Sequence, residues 1–116
     1  MKNDPIPSDI PEDVKKLCEV IIQTATYIDE HGKAHPPYSG GIRTFWSADE
    51  IVAHEDDVHM SEGLVLGLMC AGGDFAPYFN MDYCDYAKID KMCVALEQLG
   101  FWSEDQRGWL HLIYRK

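Results

Sequence analysis

The chain lacks any apolar run long enough to cross a bilayer. Its longest, Leu64 to Ala71 with a glycine inside, falls far below the roughly 20 residues a membrane helix needs. It lacks paired cysteines too: Cys18, Cys70, Cys84 and Cys93 stand singly, which excludes a Cys-x-x-Cys redox or zinc motif and gives no spacing for a disulfide framework. The N-terminal MKNDPIPSDIPED has no apolar stretch of the kind that drives secretion. The expectation is a cytoplasmic, soluble protein with reduced thiols and no membrane partner. Basic residues are missing where acid is dense, for between Ser47 and Glu62 the chain has six carboxylates, Asp49, Glu50, Glu55, Asp56, Asp57 and Glu62, and no Lys or Arg.

That run belongs to a lopsided charge distribution. Residues 1 to 75 carry 14 Asp and Glu against 5 Lys and Arg, whereas residues 76 to 116 carry 6 against 5. A field of this sign repels phosphate and attracts basic surfaces. At 116 residues with 46% hydrophobic content, the chain is long enough to bury a core without metal or disulfide staples. One globular domain over residues 10 to 116 is expected, after a mobile arm over residues 1 to 9.

Chemistry-bearing motifs are absent as well. There is no His-Glu-x-x-His and no glycine-rich phosphate loop, because Gly40-Gly41 and Gly72-Gly73 lack the spacing and Asp74 follows the second pair. His31, His35, His54 and His59 lie in polar segments and supply the donor types of a zinc site, so a small zinc-binding protein is one alternative. Both histidine pairs lie in flexible polar loops, where histidines are commonly plain surface residues, and no cysteine pair joins them, so no metal and no cofactor are expected. Cys18, Cys70 and Cys93 fall on apolar faces, and Cys84 sits between Asp82 and Asp85, which disfavours the thiolate a nucleophile needs. Adjacent acids such as Asp49/Glu50 and Asp56/Asp57 suit a solvated turn better than general acid and base work. The chain reads as a non-enzyme.

Hydrophobic spacing gives the elements. Pro11 followed by Glu12 and Asp13 opens a helix, with Val14, Leu17, Cys18, Ile21, Ala25 and Ile28 at steps of three and four residues. Asp29 to Lys33 is a helix stop or a hairpin turn. The prolines and glycines of residues 34 to 41 forbid regular structure, and Ile42 to Trp46 is a short strand. Ser47 and Glu50 then form a capping box at the head of an acidic helix ending near His54. After the turn EDDVH, Ser61 caps a third helix whose body is the apolar run Leu64 to Ala71. An aromatic loop follows over residues 74 to 82. A fourth helix runs from about Tyr83 to Leu99 with Tyr86, Ile89, Met92, Cys93, Leu96 and Leu99 on one face, and Gly100 ends it. Phe101-Trp102, a polar turn SEDQRG and residues 109 to 114 form a hairpin with Leu110, Leu112 and Tyr114 on one side. The class is α+β, mostly helical with a C-terminal β-hairpin.

Two segments, Trp46-Ser-Ala-Asp-Glu-Ile-Val and Ala95-Leu-Glu-Gln-Leu-Gly-Phe-Trp with the strand behind it, resemble the opening of a helix-turn-helix and the last helix and wing of a winged-helix domain. The resemblance covers residues 43 to 116. It implies a transcriptional regulator holding DNA phosphates through Lys88, Lys91, Arg107, Arg115 and Lys116. The helix expected after His59, however, carries no basic residue.

The alternative favoured by charge is a protein-binding module whose partner-facing residues are Asp49, Glu50, Glu55, Asp56, Asp57 and Glu62. Tyr78 and Phe79, from an aromatic group with Phe75, Tyr83 and Tyr86, are its anchors. Carboxylates at this density imitate duplex DNA, which carries a negative charge about every 1.7 Å of axis. In size and charge the chain is similar to the small acidic proteins with which phages and mobile elements inhibit restriction and CRISPR enzymes. The implied partner is the basic surface of a nucleic-acid-handling complex, with no direct nucleic-acid binding.

Overall fold

The computed structural model describes residues 6–116. Of the expected N-terminal arm, residues 1–5 lie outside the described residues; Ile6 packs against the main core and Pro7 is buried.

Helix α1 (Glu12–Ala25) begins at Pro11, where φ is −62°, the value the proline ring imposes and a helix start accepts. It buries Val14, Leu17, Cys18, Ile21 and Ala25, five of the six stripe positions. Ile28, the sixth, is exposed on β1 (Tyr27–Ile28), because the backbone turns extended at Thr26. Strand β1 pairs antiparallel with β2 (Ala34–His35), so the segment between them is a hairpin turn, and the stretch expected to lack regular structure does so only after His35, where the prolines begin. The Asp29 carboxylate organises it by accepting from the His31 and Lys33 amides, each at 2.9 Å.

A second, four-stranded sheet forms the centre. Its strands are β3 (Phe45–Ser47), β4 (Leu64–Met69), β5 (Phe101–Arg107) and β6 (Leu110–Arg115), antiparallel throughout in the order β3-β4-β6-β5. Helix α2 (Ala48–His54) joins β3 to β4, and α3 (Tyr86–Gln98) leads into β5. The described residues form a single α+β domain, the class expected, with three α-helices where four were expected.

Three expectations are corrected. The apolar run read as a third helix is β4. Its length and alternation explain this: Leu66, Leu68 and Cys70 join the cluster beneath α1 and α3, while Leu64 and Met69 join the cluster beneath α2. A central strand covered on both faces is apolar at every position, and a short apolar run cannot be told from a buried helix by periodicity. A register shift between Leu64 and Leu66 lets Leu64 face α2 although its parity matches Leu66. The winged-helix resemblance thus loses the helix it needs after α2. Second, SEDQRG is not a turn, since Ser103 to Arg107 continue β5 and the reversal occurs at Gly108-Trp109. Third, Tyr83 lies in a 3-10 turn, Met81–Tyr83, and α3 starts at Tyr86 with the Asp85 side chain capping the Lys88 amide.

The expected α3 face is narrower than its spacing suggested, because Met92 and Leu96 are buried whereas Tyr86 and Cys93 are exposed. The capping box at Ser47 is present in full, with Glu50 N donating to Ser47 Oγ at 3.2 Å and Ser47 N donating to Glu50 Oε1 at 2.9 Å. Gly67 seats α2 on the sheet. A Cβ at this position would lie 2.5 Å from Ile51 Cγ1, so the missing side chain is the space that fully buried Ile51 occupies. The two glycine pairs face each other: a Cβ on Gly73 would meet Tyr38 O at 2.5 Å, and Asp74 N donates to that same oxygen at 2.7 Å. Their role is the close approach of two loops.

Candidate protein interface

The sheet's two faces are covered unequally. One lies under α1 and α3, with Phe45, Leu66, Leu68, Phe101 and Ile113 in the main core. The other has only the 7-residue α2 over Ile51, Val58, Leu64, Met69, Leu110 and Leu112, with Trp46, Ala48, Val52 and Tyr114 half-buried around it. On this second face the acidic run meets aromatic surface.

The six carboxylates divide by partner. Glu50 completes the capping box and accepts from Arg43 Nη2 at 2.5 Å. The Arg43 hydrogen bond, then the Ser47 amide, outweigh burial and hold the Glu50 carboxyl below its ordinary range. Arg107, reaching over from β5, pairs with Asp57 and lies 3.6 Å from Glu55, and Glu55 also meets His54 Nδ1 at 2.7 Å. Asp49, Asp56 and Glu62 are exposed and make no ion pair among the described residues. Six carboxylates therefore face two guanidinium groups, and the patch stays negative.

The expected aromatic anchors fare differently. Phe79 is only 7% exposed and its ring lies 5.5 Å from that of His111, so its surface is used in the core rather than offered to a partner. Tyr78 is half-buried, 5.6 Å beneath Lys88 Nζ, in a groove of about 610 Å³ that Lys91, Tyr27, His35 and Asp74 also line. That groove is remote in the fold from α2. Neither residue joins the acidic patch.

Sequence reasoning missed the aromatics that do. Trp46 lies with its ring centroid 4.6 Å from that of His54, the planes tilted by 50°, and donates its indole N–H to Arg43 O at 3.0 Å. Trp102 lies on Tyr114, centroids 4.8 Å apart and planes at 19°, as their register across β5 and β6 requires. Trp109, at the hairpin tip, lies 5.0 Å beneath Arg107. All three tryptophans of the chain thus lie on this face or at its rim. Glu104 belongs with them, sharing Trp102's side of the strand two residues on. The one available signal was the two-residue spacing of Trp102 and Glu104, hidden while that stretch was read as a turn.

The remaining candidates are dispersed. His35 meets Asp29 at 2.8 Å and His31 lies 3.7 Å from Glu30; among the described residues no three His, Cys, Asp or Glu side chains are grouped to hold a metal ion. Burial pushes the thiols of Cys18 and Cys70 up to about 12, which makes them inert. Cys84 is exposed, and so is Cys93, contrary to its expected place on an apolar face. Of the five cations the DNA-binding alternative would use, Lys88, Arg107, Arg115 and Lys116 are paired with Asp85, Asp57, Asp13 and Glu97, and Lys88 and Lys91 line the groove. No helix among the described residues is long and apolar enough to cross a membrane. No family model matches the chain, and no curated protein or solved structure matches it.

Proposed function

We propose that the chain is a non-enzymatic binding module that presents an acidic, tryptophan-bearing face to a basic protein surface, and that it inhibits a nucleic-acid-handling complex by occupying the surface built for DNA or RNA. The observation that carries this reading is the run of exposed carboxylates on and after α2, Asp49, Asp56 and Glu62, which form no ion pair among the described residues, beside a sheet face that bears the chain's tryptophans on it or at its rim. Carboxylates steer a basic partner and set its orientation. Tryptophan supplies the desolvated contact that holds it. The DNA-reading alternative is weaker on two counts: β4 stands where its recognition helix would be, and four of its five cations are paired with carboxylates of the chain.

The test is charge reversal at the unpaired positions. Asp49→Lys, Asp56→Lys and Glu62→Lys together should leave the fold intact, since exposed substitutions away from caps and cores usually change stability by less than ~0.5 kcal/mol each. Used as bait in its host's extract, the wild-type protein should retain a nucleic-acid-binding complex that the reversed protein releases, and the wild-type interaction should weaken as salt rises. If the folded, reversed protein holds the same partner equally well, the carboxylates are only a solvated face.

A further inference from the structure

Two of the three tryptophans already carry a guanidinium of this chain, and each of those guanidinium groups is held by carboxylate. Arg43 lies 4.3 Å from the Trp46 ring centroid with its Nη2 2.5 Å from Glu50. Arg107 lies 5.0 Å from the Trp109 centroid and pairs with Asp57 and Glu55. The fold uses one arrangement twice: an indole face below, a planar cation on it, a carboxylate at its edge.

Trp102 has the same surroundings without the cation. The residue is 40% exposed, and its ring is stacked on that of Tyr114 at 4.8 Å. Glu104 stands two residues on along the same side of β5, diagonal to Tyr114 across the ladder. Glu104 is exposed and forms no ion pair among the described residues, so its carboxylate is available to a ligand. Among the described residues no cation of the chain lies over Trp102, and Lys116, which follows the last paired residue of β6, is held by Glu97 at 3.5 Å.

We infer that the Trp102–Tyr114 slab with Glu104 is an arginine-binding position, filled by a guanidinium from the basic partner. The inference rests on the proposed acidic binding face and names the side chain it selects. Arginine fits better than lysine because a planar guanidinium stacks flat on an indole while its fork reaches the carboxylate edge, whereas an ammonium is a compact and more strongly hydrated point charge. A nucleic-acid base would also stack on Trp102, but its phosphates would meet Glu104 in a chain of net charge −10.

The experiment compares acetylated hexa-arginine and hexa-lysine peptides, of equal charge, by calorimetry at about 50 mM salt, where surface charges act at longer range. The wild-type protein should bind the arginine peptide about threefold to tenfold more tightly, with the Trp102 indole resonance shifting on its addition. Trp102→Leu should lower arginine-peptide affinity to the lysine-peptide level and leave the latter within about twofold. Trp102→Phe, which keeps a ring, should retain part of the preference, and Glu104→Gln, at an exposed position, should reduce it. Equal affinity of the wild-type protein for both peptides overturns the arginine position while leaving the acidic face standing. Binding of neither peptide overturns both. An arginine preference unchanged in folded Trp102→Phe and Glu104→Gln proteins also overturns the assignment.

Discussion

Replacing Gly67 by alanine should lift α2 from the sheet, and the size of the effect can be worked from the contact. The new Cβ would sit 2.5 Å from Ile51 Cγ1, 2.7 Å from Ile51 Cβ and 3.0 Å from its Cδ1. All three atoms belong to a side chain with no solvent exposure, so relief requires either an off-rotamer isoleucine or a shift of the helix. Overpacking of this kind costs about 1 to 3 kcal/mol. Ile51→Ala removes Cγ1 and Cδ1, two of the three clashing atoms, and leaves a cavity beside the remaining Cβ, at about 2 to 5 kcal/mol. Because the added methyl fills part of that cavity, the double variant should be more stable than the sum of the two losses predicts, by at least about 1 kcal/mol, a normal coupling for residues in contact. Urea unfolding of the four proteins closes the cycle, with equal m-values required for the comparison. If Gly67→Ala costs less than about 0.5 kcal/mol, or if the two losses simply add, then Ile51 does not occupy the space that Gly67 vacates, and the seating of α2 described above is wrong.

How much of this arrangement the sequence disclosed follows from the range over which each feature is determined. Local chemistry was legible: Pro11 with Glu12 and Asp13 opened α1 where expected, and Ser47 with Glu50 formed its capping box, because each depends on residues within one turn. The run at Leu64 was misread because its environment is set by partners far away in sequence. Only pairing with both β3 and β6 makes it a central strand, and nothing within the run tells of those partners. The site shows the same limit. The acidic run was visible as composition, but its partial neutralisation by Arg107 joins residues 50 positions apart. Trp102 and Tyr114 came together only through the β5–β6 register, and Phe79 left the candidate surface because His111 lies behind it. Sequence thus located the charge and missed the aromatic half of the same face.

Two further predictions follow from groups already described. Burial holds the His111 imidazole below its ordinary value of 6.5, although the Gly108 carbonyl and Asp105 act in the opposite direction. Below that pH the unfolded chain takes up a proton that the folded chain does not, so stability should decline as pH falls from about 6.5 toward the folded value, by no more than about 1.4 kcal/mol per pH unit for one proton. Thermal melts of His111→Gln should lack that slope, and parallel wild-type and variant profiles would refute the assignment. The second prediction concerns the two arginines that mask the acidic patch. Arg43→Gln and Arg107→Gln together should cost little stability, since partly exposed ion pairs contribute about 0 to 1 kcal/mol each, with Arg43 at the upper end because its Nε also donates to Phe45 O at 2.9 Å. Their removal frees Glu50, Glu55 and Asp57 to act on a partner. A unit charge several ångströms away is worth about 0.5 to 1 kcal/mol in water, so each deletion should tighten hexa-lysine binding by about twofold to fivefold at low salt and steepen its salt dependence. Calorimetry across a salt series reads both effects. The lysine peptide is the discriminating probe, because the same deletions bare the faces of Trp46 and Trp109 and would add stacking sites for arginine. Unchanged or weaker lysine-peptide binding at low salt would mean that these carboxylates do not reach the bound partner, and that the patch acts through Asp49, Asp56 and Glu62 alone.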